Sequence, residues 1–242
     1  MQKKLAFGVS VNEAMRVSVI TSTCNRARFI PRLIKMYLAQ TYKPTEWVIL
    51  DDGEEKVGAL FSGVPGVRYI PLEARLPMGA KLNILKKEAQ GDIVVVMDDD
   101  DYYPPERVSS VVDAFEKNPS VEVAGSSKVY MYYTDTDTIY CTGPYSDTHG
   151  LNCTLAWRQS YKGVYDDNEP CAVESGFLSG FTVPMLQINT KKTILHIIHS
   201  SNTFNAIQAR DKGTLGLLKK TSLTLKNFIH EEGVREQFLG VY

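Results

Sequence analysis

Apolar residues along this chain fall into two patterns. The first is the unbroken run: "RVSVITSTCN" (16–25), "TEWVILDDG" (45–53), the shorter "GVRYIPL" (66–72) and "DIVVVM" (92–97). Such runs predict strands covered on both faces, as in a parallel sheet. The second is helical spacing. "RFIPRLIKMYLAQTY" (28–42) places Ile30, Leu33, Ile34, Tyr37 and Leu38 on one face. "GAKLNILKKEAQG" (79–91) predicts an amphipathic helix with Gly91 as its C-cap. "PPERVSSVVDAFEKNP" (104–119) opens with proline and an early glutamate, as helices do. Strand and helix alternate, so the first half reads as an α/β unit with a mostly parallel sheet flanked by helices.

The second half has a different texture. "VEVAGSSKVYMYYTDTDTIYCTGPY" (121–145) predicts a β-ribbon with alternating aromatics, and a loop-rich stretch follows to about Pro170. "VESGFLSGFTVPMLQI" and "TKKTILHIIHSSNTF" predict a short helix and a strand, and 214–239 an amphipathic helix. With no repeat or composed linker, 1–242 reads as one domain, about 16–118 and about 119–242 being its two halves.

Composition narrows the class. The chain has 242 residues and a formal net charge of −1, which excludes a generally basic nucleic-acid binder. Cys24, Cys141, Cys153 and Cys171 have no C-x-x-C spacing, so they read as free thiols in a reducing compartment and not as a zinc site. "MQKKLAFGVSVNEAM" has no apolar signal core, and no window approaches a membrane span. The expected location is therefore the cytoplasm.

Three apolar runs end in small polar or acidic residues: at Thr21 to Cys24, at Asp51 and Asp52, and at Asp98 to Asp101. Open α/β sheets bind ligands outside the carboxyl ends of their strands, so the three endings should meet in one crevice. No G-x-G-x-x-G fingerprint occurs there. Four adjacent aspartates after a buried strand repel one another. A solvated turn leaves their position unexplained, and a helix N-terminus accounts for one of them. A hard divalent cation, Mg²⁺ or Mn²⁺, accounts for the cluster and implies a phosphate-bearing ligand.

Together, "VSVITSTCNRARFIPRLIKMYLAQTYKPTEWVILDDG", "GAKLN" and "AQGDIVVVMDDDDYYPPERV" resemble the nucleotide-binding half of family 2-like glycosyltransferases of the GT-A fold. The second half, with "HIIHSSNTFN", resembles the small family 2-like enzymes of large DNA viruses. The resemblance implies a metal-dependent inverting transferase that moves a sugar from a nucleotide-diphosphate donor, UDP-linked, to a carbohydrate or glycoprotein acceptor. It puts Ser22 and Thr23 at the nucleoside, Asp51 at the base with Asp52 beside it, and Lys81 at the diphosphate. The D-x-D pair maps to Asp98 and Asp100, with Asp99 near the ribose, in a phase ambiguous by one residue.

A general base and a late metal ligand complete the scheme. Asp166, Asp167, Glu169 and Glu174 are the candidate bases, and Glu174, at a helix start, is the choice. His196 and His199 are three apart on an expected strand, so only one should face the metal; His199, at the polar end, is the choice. Among the acceptor-side aromatics Tyr130, Tyr132, Tyr133, Tyr140, Tyr145 and Trp157, Trp157 is the candidate for acceptor contact. The competing readings are a nucleotidyltransferase, which lacks its Gly-rich basic loop here, a haloacid-type phosphatase, whose D-x-D-x-T would come early in the chain, and a non-catalytic nucleotide-sugar-binding module.

Overall fold

In the computed structural model, residues 14–239 are described; 1–13, which hold most of the N-terminal stretch read above for a signal core, and 240–242 lie outside them. Eleven strands occur among these residues: β1 Val17–Thr23, β2 Glu46–Asp51, β3 Val67–Pro71, β4 Ile93–Val96, β5 Val123–Gly125, β6 Val129–Tyr133, β7 Thr138–Thr142, β8 Ala156–Arg158, β9 Met185–Gln187, β10 His196–Ile198 and β11 Lys219–Lys220. The α-helices are α1 Ile30–Leu38, α2 Met78–Glu88, α3 Arg107–Lys117, α4 Glu174–Phe177, α5 Ala206–Asp211 and α6 Glu232–Glu236.

The main sheet has the order β3-β2-β1-β4-β8-β5-β9. Its first four strands run parallel. Val17, Val19, Trp47, Ile49, Ile93 and Val95 pack on one face, and Ile20, Val48, Leu50, Val94 and Val96 on the other. This two-sided burial explains the unbroken apolar runs. Strand order reverses between β1 and β4, so a crevice opens at their carboxyl ends, at Thr23 and Asp98. The buried Arg107 braces this edge: its Nη2 donates to Val96 O at 3.1 Å and to Leu155 O at 2.9 Å.

Several expectations need correction. The strand–helix alternation of the first half does not extend past α3: the 121–145 ribbon divides, β5 joining the main sheet while β6 and β7 form a hairpin in a second sheet ordered β10-β6-β7-β11. The loop-rich stretch contains β8, which lies antiparallel between β4 and β5. The tail is not one helix; it holds β11, a 3-10 turn at 225–227 and the short α6. Its apolar Leu225, Phe228, Ile229 and Phe238 insert into the core from an irregular backbone instead of along one helical stripe. Gly91 does not cap α2, which ends at Glu88. It is needed for close approach to β1, since a Cβ there would lie 2.5 Å from Ser18 N. No helix among the described residues is long and apolar enough to cross a membrane.

Candidate active site

The crevice at the β1–β4 reversal widens into a cavity of about 880 Å³, bordered by Ser22, Thr23, Arg26, Arg75, Lys81 and Asp99, with the 200–203 loop as a further wall. Thr21 Oγ1 donates to Met97 O at 2.6 Å and so fixes the two strand ends together. Thr23 Oγ1 and Asp99 Oδ2 are buried without a well-formed hydrogen bond, although the Thr23 hydroxyl acts to lower the Asp99 pKa. Native proteins rarely leave buried polar atoms unpaired, and both residues border the cavity.

The four aspartates take different partners. Asp98, Asp99 and Asp100 line a second cavity of about 340 Å³ that adjoins the first. Asp101 turns inward: its Oδ1 accepts from Ile197 N at 2.7 Å and pairs with His196 Nδ1 at 2.7 Å. It thereby ties the acidic loop to β10. Asp100 Oδ2 lies 3.2 Å from His199 Nε2 and 3.2 Å from Asn202 Nδ2. Arg26 Nη1 donates to Asp99 Oδ1 and Asp100 Oδ2, both at 2.7 Å.

Crowding sets the protonation of the run. Burial, followed by the charges of Asp101, Asp100 and Asp99, pushes Asp98 up to about 8. Burial also raises Asp99, to about 6, despite Arg26. Burial would raise Asp100 as well, but the His199 hydrogen bond and the Arg26 charge outweigh it and hold that carboxyl below its ordinary range. Burial acts to lower His196, and Asp101 overcomes it and lifts the imidazole to about 9.

These residues fit a hard cation. Asp100 Oδ2 and His199 Nε2 stand at about the spacing of neighbouring ligand atoms around an ion bound at ~2.1 Å, and Asp98 borders the same space. A second group, Asp101, Cys153 and His196, brings three possible ligand atoms within 4.8 Å of one another. It includes a thiol, which suits softer metals than Mg²⁺ or Mn²⁺.

Glu174 opens α4 and lines the smaller cavity together with Asp98, Asp99 and Asp100. Burial raises its carboxyl above the usual value. The other candidate bases stand elsewhere: Asp166 accepts from Asn168 N, Asp167 from Asn83 Nδ2, and Glu169 O from Gly79 N. None of the three borders either cavity.

Ser22, Thr23, Lys81, Asp99 and, around the adjoining space, Asp98, Asp100 and Glu174 therefore come together as the sequence implied. Asp51 does not join them. It is fully buried, its Oδ1 accepts from Gly53 N at 2.9 Å, and its Oδ2 accepts from Val57 N at 2.9 Å and from the Tyr69 hydroxyl. Its carboxylate shapes the 52–57 loop. Asp52 borders a smaller cavity beside the crevice; its carboxylate is also covered, accepting from Leu76 N at 2.9 Å and pairing at 3.2 Å with Lys81 Nζ, a group that borders the crevice itself. Trp157 is fully buried against Tyr165 and Phe177 and borders neither cavity. The alternation argument for the histidines also fails, because β10 ends at Ile198 and His199 lies beyond it; both imidazoles reach the acidic run.

Arg26 and Asn202 were not singled out by the sequence. For Arg26 the available signal was a cation just past the end of β1, in "TSTCNR", beside a strand that ends in four carboxylates.

Comparison with known proteins places this geometry. The profile of Glycosyl transferase family 2 matches residues 18–181, which holds the acidic run and Glu174. The chain belongs to glycosyl transferase family 2. This family 2 chain is 32% identical over 114 residues to a glycosyltransferase of Nostoc sp. described as uncharacterized, a match over 45% of the chain and 35% of that protein. It thus spans about a third of that relative's length. Among solved structures, S. aureus TarS 1–349 with UDP-GlcNAc aligns with TM-score 0.62 and 17% identity, over 78% of this chain and 60% of that one. The mannosyltransferase PcManGT from Pyrobaculum calidifontis, with GDP-Man and Mn²⁺, aligns with TM-score 0.61 and 15% identity, over 85% and 63%. At such identities the likeness is one of fold, the GT-A arrangement of a mostly parallel sheet between helices.

Proposed function

We propose that this chain transfers a sugar from a nucleotide-diphosphate donor, UDP-linked, to a hydroxyl on a carbohydrate or glycoprotein acceptor, with inversion. The observation that carries the reading is that Asp98, Asp99, Asp100 and Glu174 line one cavity beside a larger one bordered by Thr23 and Lys81. The larger cavity takes the nucleotide. Ser22 and Thr23 border its nucleoside end, with Asp52 at a smaller cavity alongside, Asp99 borders the ribose, and Lys81 the diphosphate. Base recognition passes from Asp51 to Asp52, because the oxygens of Asp51 already serve three internal donors.

Asp98, Asp100 and His199 would hold Mn²⁺ or Mg²⁺, which when bound supplies positive charge to the leaving diphosphate. Glu174 accepts the proton of the acceptor hydroxyl as its oxygen attacks the anomeric carbon from the face opposite the leaving group. Its raised pKa makes it a stronger base than an exposed glutamate, and the apolar walls at Val173, Leu151 and Ile198 limit competition from water.

Nucleotide release from a panel of UDP- and GDP-sugars, with Mn²⁺ and with or without acceptor, tests this reading. UDP release that depends on the cation is expected. Release from GDP-sugars alone would reassign the donor, and release from none would overturn the assignment of transferase activity. Asp100→Ala should abolish the cation dependence; because it also strands Arg26, His199 and Asn202, circular dichroism should accompany the assay to check that the chain stays folded.

A further inference from the structure

Arg26 bridges Asp99 and Asp100, the second of which is a ligand of the proposed cation site. One amino group, Nη1, lies 2.7 Å from Asp99 Oδ1 and 2.7 Å from Asp100 Oδ2, so each of its hydrogens serves one carboxylate. The other, Nη2, donates to Ser201 O at 2.9 Å. Arg26 thus joins the end of β1, the acidic run and the loop at 200–203, and all three border the nucleotide cavity. We propose that Arg26 is a built-in counter-ion of the acidic run, occupying it until a divalent cation and a nucleoside diphosphate enter together, whereupon its guanidinium moves onto the diphosphate. This rests on the cation and nucleotide sites proposed above.

The reasoning is electrostatic. A cation on Asp100 and His199 would share Asp100 Oδ2 with the guanidinium, and two positive groups on one oxygen repel. Arg26 therefore opposes the cation when it arrives alone. A diphosphate changes the balance by offering the guanidinium a second anion of matching fork geometry, within the cavity that Arg26 already borders. Cation and nucleotide then favour one another, and the coupling is reciprocal.

Arg26→Gln separates this role from a merely supporting one, with Arg28→Gln as its control. Arg28 lies on the same segment and donates from Nη2 to Ser201 Oγ at 2.8 Å, with no bond to the acidic run. Binding of Mn²⁺ alone, followed by electron paramagnetic resonance of the free ion, should tighten about tenfold in Arg26→Gln and stay unchanged in Arg28→Gln, a shift typical of coupled sites. Calorimetric binding of UDP at saturating Mn²⁺ should weaken in Arg26→Gln by about the same factor. A structural strut would weaken both or change neither, and either result overturns the proposal, as does equal tightening in the two variants. Asp100→Ala guards the underlying reading: if it leaves Mn²⁺ binding intact, the cation site itself is wrong. If it abolishes binding while Arg26→Gln fails to tighten it, the role of Arg26 alone is refuted.

Discussion

The two halves of this chain are built on different scales. In the half proposed to hold the donor, β1, β2 and β3 hold 7, 6 and 5 residues and pair in parallel; β1 and β2 are buried on both faces, while β3, at the sheet edge, is half-buried. In the acceptor half, β5, β8, β9 and β10 hold 3 residues each, and long irregular segments connect them. The site lies where the halves meet. The parallel strands deliver the acidic run to a fixed place, and short elements bring in Glu174 from α4 and His196 and His199 from β10 and the turn after it.

The largest effect expected tests whether the acceptor half contributes chemistry or only walls. Glu174→Gln should lower kcat and kcat/KM together by ~10²–10⁴-fold while nucleotide and Mn²⁺ binding persist, because a general base acts in the transition state. Steady-state kinetics with calorimetric UDP binding measure this. Near-full activity would leave that half without a catalytic group.

A stability measurement asks whether the short strands are nevertheless firmly packed. Trp157 sits on the three-residue β8, fully buried against Tyr165 and Phe177. Trp157→Ala should cost about 3–5 kcal/mol in denaturant unfolding, as truncation of a large core aromatic does. A cost near that of a surface substitution would mean that the acceptor half is only loosely joined to the core.

The next effect is smaller and lies in the donor half. Asp51→Asn should destabilise the fold by about 1–3 kcal/mol by leaving internal donors poorly paired. UDP affinity should fall less than in Asp52→Asn. The reverse order would return the base contact to Asp51.

The smallest effect concerns pH at the join. His196 has a folded pKa of about 9, above the ~6.5 of a free imidazole. Its stabilising contribution is complete below about pH 6.5 and is lost as pH rises through about 9. Asp98, raised to about 8, adds to the decline up to that pH, because folding disfavours its ionised form. The melting temperature without divalent cations should therefore fall between pH 6.5 and 9, and His196→Gln should flatten the slope. A wild-type curve that is level over that window would show that His196 is not held charged by Asp101.

The amino-acid sequence by itself determined the donor half. Continuous apolar runs require cover on both faces, polar strand ends mark the crevice, and four adjacent aspartates demand a counter-charge; each of these is a local property of the chain. It also marked Glu174, because a carboxylate opening an apolar helix is visible locally. The rest was decided by tertiary structure. A strand of three residues is too short to show alternation, so β8 and its buried Trp157 carried no signal. The tail's apolar residues carry helical spacing, yet Leu225, Phe228 and Phe238 find better burial from an irregular backbone. Asp51 and Asp52 look equivalent in "LDDG", and only the placement of Val57 N and the Tyr69 hydroxyl turns one inward and leaves the other beside the crevice. Arg26 meets Asp99 and Asp100 from 73 and 74 positions away, and His199 meets Asp100 from 99. Such pairings depend on which strands become neighbours, and that is settled by the packing of the whole sheet and not by any local pattern.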